Sequence, residues 1–165
     1  MNRSILCLPF VLLLAAGPAA AVEAACEPYL RAAEKTASQP ARHTISEVDG
    51  GRMELIFVGG KAYSRFDTGK WQVMPDAAAN NLMAAEKKLV AAIRSGEYRM
   101  SGCRKLPAEK IEGVTMTVYA YTLTLPNSPA GEAKVYIGAD GLVHGQRGDG
   151  AVVRHRYRAV SAPAL

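Results

Sequence analysis

The sequence predicts an α+β fold in which antiparallel strands dominate and two helices pack on them. Three patterns carry that expectation. Runs of β-branched and aromatic residues recur between Gly-containing turns at 50–51, 59–60 and 140–141. One stretch, 76–96, changes to a helical period. The order helix, strands, helix, strands lacks the regular β–α alternation of a parallel sheet.

The N-terminal residues are read first as an address. In "MNRSILCLPFVLLLAAGPAAAVEAAC" one basic residue, Arg3, precedes an apolar run from Ile5 to about Ala16, and small residues follow. That is the layout of a secretory signal peptide, with cleavage expected near Ala21. The run is shorter than the roughly 20 residues needed to span a bilayer. Glu23 stands where a lipid-anchoring signal would need a Leu-like residue before Cys26. The expectation is a periplasmic protein with residues 1–21 as signal peptide, residues 22–165 as one domain, and no transmembrane segment in the mature chain.

Export also governs the cysteines. Cys7 lies in the leader, which leaves Cys26 and Cys103 to form a disulfide. The formal net charge of +5 is too modest for a charge-driven nucleic-acid binder, so no nucleic-acid partner is expected.

"CEPYLRAAEKTASQP" reads as a short helix with Pro28 in its first turn and Pro40 at its exit. "RHTISEVD", "RMELIFV", "KAYSRFD" and "WQVMP" follow as a meander. "PDAAANNLMAAEKKLVAAIRSGE" is the long helix, with Leu82, Leu89 and Ile93 on one stripe, Asp76 as N-cap and Gly96 as C-cap. Strands resume with "YRMSGCRKL", "EKIEG", "VTMTVYAYTLTL", "EAKVYIG", "LVHGQRG" and "AVVRHRYRAV". Neither face of "VTMTVYAYTLTL" is strongly polar, so that strand calls for cover, or apolar cargo, on both sides.

"KAYSRFDTGKWQVMP", "CRKLPAEKIEGVTMTVYAYTL" and "AKVYIGADGLVHGQR" are similar to segments of one superfamily of small exported proteins. The chain resembles the lipoprotein-carrier (LolA-like) and mycobacterial-type lipid-binding lipoproteins over roughly residues 40 to 150. The resemblance implies a strongly curved antiparallel sheet, an open half-barrel, with helices packed on its concave face. It also implies that the space between sheet and helices holds acyl chains. No residue motif for acyl contact carries over.

Enzymatic motifs are absent. Neither Gly-x-Ser-x-Gly nor Ser-x-x-Lys occurs, and the glycines of "GADGLVHGQRGDG" lie between strands rather than before a helix. His43, His144 and His155 fall on three strands without metal-ligand spacing. Glu109/Glu112 and Glu47/Asp49 read as surface charges, and the Arg-Gly-Asp at 147–149 as a turn. The expectation is a non-enzymatic binder with no catalytic residues, metal or cofactor. Its partner would be a lipid or a lipidated protein.

Tyr63, Trp71, Tyr119, Tyr121, His155 and Tyr157 are the residues expected to line a pocket, being apolar in body with a polar tip. Arg154, Arg156 and Arg158 alternate along one strand and so project from one face, with His155 and Tyr157 on the other. Parity thus separates the arginines from the pocket and keeps the five from forming one compact site. The arginine face is either a solvated face that also blunts a sheet edge, or a docking patch for anionic lipid headgroups or an acidic protein of the envelope. The second possibility supports the alternative function, an exported protein–protein interaction module such as an inhibitor or assembly factor.

Overall fold

The computed structural model describes residues 22–148 and 150–165. The expected signal peptide, its cleavage point and Asp149 of the Arg-Gly-Asp triplet lie outside the described residues. A 3-10 turn over Ala24–Cys26 leads into helix α1, Glu27–Ala37. Four strands follow: β1 Arg42–Val48, β2 Gly51–Val58, β3 Lys61–Phe66 and the short β4 Gln72–Val73. Helix α2 spans Asp76–Ser95. The remaining strands are β5 Arg99–Ile111, β6 Val114–Thr124, β7 Gly131–Ile137, β8 Val143–Gly148 and β9 Ala151–Arg156.

All nine strands form one antiparallel sheet in the order β4-β3-β2-β1-β9-β8-β7-β6-β5. The sheet does not close on itself: it is an open half-barrel, with the two helices on its concave face.

Register divides each strand between two faces. On the helix-covered face, Tyr29 and Leu30 of α1 and Val90 and Ile93 of α2 meet Met100, Tyr121, Val135, Ile137 and Val143 of the sheet. The Tyr29 and Tyr121 rings stack with centroids 4.8 Å apart. Farther along α2, Ala79, Leu82 and Met83 pack on Leu55, Phe57 and Ala62. Gly96 ends α2 at φ 79°, a left-handed conformation that glycine adopts without a Cβ penalty. Asp76, expected as the N-cap, is the first helical residue instead, with Pro75 at the cap. Its carboxylate there still lies near the positive end of the helix.

Cys26 and Cys103 form a disulfide that fastens the start of α1 to β5, with Cα atoms 5.1 Å apart. The other end of α1 is held by the buried Arg42. Its Nη1 donates to the Thr36 carbonyl, its Nη2 donates to Glu86 of α2 at 2.6 Å, and its guanidinium lies 5.2 Å from the centre of the Phe57 ring.

"YRMSGCRKL" and "EKIEG" prove to be one long strand, β5. Its register slips between Ser101 and Arg104 and again between Leu106 and Glu109. Pro107, which gives no N–H to a ladder, falls in the second slip of this edge strand, where it is tolerated. The bulges bend the β5–β6 hairpin so that its tip reaches across the outer face. Ile111 approaches Gly145 so closely that a Cβ there would meet it at 3.0 Å. Leu106, Ile111, Met116, Val118 and Tyr136 form a second small core on that side.

Candidate functional site

The helices cover only one end of the concave face. At the other end the strands run on beyond them and leave apolar side chains in the open. Phe66 is 66 % exposed, Val48 48 % and Leu125 37 %. Pairing puts Met53 opposite both Ser46 and Phe66, and Ser46 opposite Val153, so β1, β2, β3 and β9 present these side chains on one face. A cleft of about 390 Å3 opens beside them, lined in part by Tyr121, Leu123, Leu125, Ala133, Gln146 and Val153. Small-molecule sites commonly begin near this volume. Tyr121 forms the inner wall, where its ring leaves the stack with Tyr29. Gln146 donates from Nε2 to the Tyr29 hydroxyl at 3.1 Å and joins that wall to α1. Burial pushes the Tyr29 hydroxyl well above the ordinary tyrosine range and raises Tyr121 as well, so both stay neutral.

The six aromatic and histidine residues expected to line one pocket are divided among three places. Tyr119 and Tyr121 lie against the core under α1. Tyr63 pairs with Ile56, whereas its neighbour Ala62 packs under α2; strand parity therefore turns Tyr63 to the outer face. Trp71 is on the outer face too. The Arg65 guanidinium lies 4.7 Å from its ring centre, and its edge meets His43. Beside it Glu54, 2 % exposed, accepts from Arg65, Arg52 and His43. Burial pushes the Glu54 carboxyl up, but these three donors outweigh it and hold the group below the ordinary carboxylate range. Tyr63 and Trp71 thus belong to a charged outer cluster rather than to a pocket beneath a helix.

His155 and Tyr157 occupy the third place, at the opposite end of the strands from the open apolar cleft. His155 Nδ1 is hydrogen-bonded to Thr44 Oγ1 at 3.0 Å. Burial, with the nearby Arg42 charge, lowers its pKa to about 3. The Tyr157 hydroxyl donates to the Val143 carbonyl, and burial raises its pKa to about 12.

The arginine stripe is shorter than alternation predicts. Strand β9 ends at Arg156, and the chain turns at Ala159 with φ 53°, so Arg158 lies past the strand. Arg154 Nη1 donates to Glu47 at 3.2 Å and Arg156 Nη2 to Glu112. Among the described residues Arg158 has no ion-pair partner. Parity still sets Arg154 and Arg156 against His155 within β9, but it no longer applies to Tyr157 and Arg158 beyond the strand end. Arg154, His155, Arg156, Tyr157 and Arg158 all border a single cleft of about 390 Å3, separate from the apolar one.

Among the described residues no group of three or more His, Cys, Asp or Glu converges on a metal position, and no helix is long and apolar enough to cross a membrane.

No protein-family model matches the sequence, and no curated protein is similar to it in sequence. The fold does have solved counterparts. The crystal structure of the Mycobacterium tuberculosis lipoprotein LppX is similar with a TM-score of 0.50 and 12 % identity, over 86 % of this chain and 97 % of that one. LprF from Mycobacterium bovis is similar with a TM-score of 0.51 and 10 % identity, over 86 % and 94 %. At such identities the likeness concerns the backbone alone: the open half-barrel built by this chain is the fold of these two mycobacterial proteins.

Proposed function

We propose that this protein is a non-enzymatic binding protein of the periplasm. It holds an apolar chain, from a lipid or a lipid-bearing protein, in the cleft at the open end of its concave face. The observation that carries this reading is the cleft of about 390 Å3 lined by Leu123, Leu125 and Val153, at the end of the strands where Leu125, Val48 and Phe66 stay exposed. Soluble proteins rarely leave such a surface without a use. The seam directly under α1 and α2 is filled by side chains, so the ligand would lie along the sheet past the helices rather than between them and the core. The resemblance of the sequence to lipid-binding lipoproteins supports the same reading.

The test is native mass spectrometry of the purified protein, followed by titration with long-chain fatty acids and phospholipids. We expect a bound or exchangeable acyl ligand. Leu123→Arg should weaken its binding by at least about tenfold by placing a charge in an apolar wall. Absence of acyl binding across several lipid classes would overturn the proposal.

A further inference from the structure

The cleft at the other end of the strands has a different chemistry. One wall is apolar and comes from the tip of the β5–β6 hairpin: Ile111, Val114 and Met116. Val114 is 57 % exposed, although it stands on a strand whose neighbours on this face are buried. The facing wall carries Arg154, Arg156 and Arg158. Against these three guanidinium groups the lining holds two carboxylates, Glu112 and Asp140. Asp140 is already occupied: it accepts from the Leu142 N–H at 3.1 Å and lies 3.0 Å from His144 Nε2. Glu112 accepts from Arg156. A guanidinium offers five N–H donors, so Arg154 and Arg156 keep unused donors beside their ion pairs. Arg158 has no carboxylate partner among the described residues.

The clasp between the hairpin tip and β9 gives the cleft its shape. Glu112 reaches Arg156 from the tip, and Ile111 seats against Gly145. The cleft therefore has two fixed walls of opposite character: one carries the charge of Arg158, unpaired among the described residues, and the unused donors of Arg154, paired with Glu47, and Arg156, paired with Glu112, and the other exposes aliphatic surface. Neither a bare anion nor a bare hydrocarbon satisfies both. A single molecule with an anionic head on an aliphatic stem does.

We propose that this second cleft binds one molecule of an anionic single-chain amphiphile. The head, a phosphate or carboxylate, is held by Arg158 with the free donors of Arg154 and Arg156, and the stem lies on Val114, Ile111 and Met116. This site is separate from the apolar cleft at the other strand end and does not depend on it.

The test is calorimetric titration at low salt with monomeric octyl phosphate, octanoate, octanol and inorganic phosphate. Octyl phosphate and octanoate are expected to bind with a stoichiometry near one, and octanol and inorganic phosphate at least about tenfold more weakly. Arg158→Glu and Val114→Asp change exposed side chains that make no ion pair or side-chain hydrogen bond among the described residues, so both variants should fold, and each should weaken octyl phosphate by about tenfold or more. Unchanged affinity in both variants would overturn the proposal, as would octanol or inorganic phosphate binding as tightly as octyl phosphate. Binding only to phosphatidylglycerol vesicles, with none to the monomer, would also overturn it and identify a membrane surface instead. Leu123→Arg separates the two sites. Octyl phosphate binding lost in that variant and kept in Arg158→Glu refutes this cleft and leaves the apolar one standing. Loss of long-chain binding everywhere, with octyl phosphate retained, refutes only the apolar cleft.

Discussion

His155 shows how a single side chain ties stability to pH. Its ring is neutral in the folded protein down to about pH 3, whereas an unfolded histidine takes up its proton near 6.5. Between those values the unfolded state binds more protons, so this contribution to stability is complete above about 6.5 and declines as pH falls toward 3. The slope from one such group is at most about 1.4 kcal/mol per pH unit. Denaturant midpoints measured from pH 7 to pH 4 should fall, and His155→Asn should flatten the decline. An equally steep decline in the variant would show that His155 is not its source. Register turns Val153 and His155 toward the concave side, where Val153 lines the apolar cleft and His155 bonds Thr44. The location of Arg158 depends on where the strand stops, and that is set by the turn at Ala159, which no local pattern marks.

Among the elements, α1 is the one most firmly attached. A disulfide holds its first turn to β5, and Thr36 near its end accepts at its hydroxyl from the Val143 N–H at 2.9 Å. With the cysteines 77 positions apart in sequence, the bridge contributes up to about 4–5 kcal/mol by restricting the unfolded chain. Thiol titration of the denatured, unreduced protein should find neither Cys26 nor Cys103 free. Cys26→Ser with Cys103→Ser should lower thermal stability substantially while keeping the strand order. The helices and most strands were legible because each buries one face and so carries a period of 3.6 or 2. The curl of the β5–β6 hairpin was not. It comes from two register slips and from contacts with Gly145 and Arg156 distant in sequence, and a local pattern around Pro107 reads simply as a break. The anion-facing cleft depends on that curl, which is why sequence reasoning missed Ile111, Glu112 and Val114 as site residues. Residue type alone points Tyr63 and Trp71 to a pocket; register turns Tyr63 outward, and Trp71 packs on Arg65 of the outer face.

For the molecule as a whole, the two clefts lie at opposite ends of one sheet, so occupancy of either stabilises the same folded state. An acyl ligand at about 100 times its Kd should add roughly 2.7 kcal/mol. In a domain of this size that raises Tm by roughly 5–10 °C, a shift readable by differential scanning fluorimetry. Leu123→Arg should remove the response to long-chain lipid, and Arg158→Glu the response to octyl phosphate. The strand order has one more consequence, for the timing of assembly. Strands β1 to β4 form one meander and β5 to β8 another, and among the described residues the only strand hydrogen-bonded to both is β9, at residues 151–156. As the chain is synthesised from its N-terminus, neither meander can join the other until residues 151–156 have emerged. Joining the two meanders is thus a late, long-range event in which His43 meets Arg156 across more than two-thirds of the chain. Such distant contacts make folding slow and leave the inner edges of both half-sheets open while the chain waits.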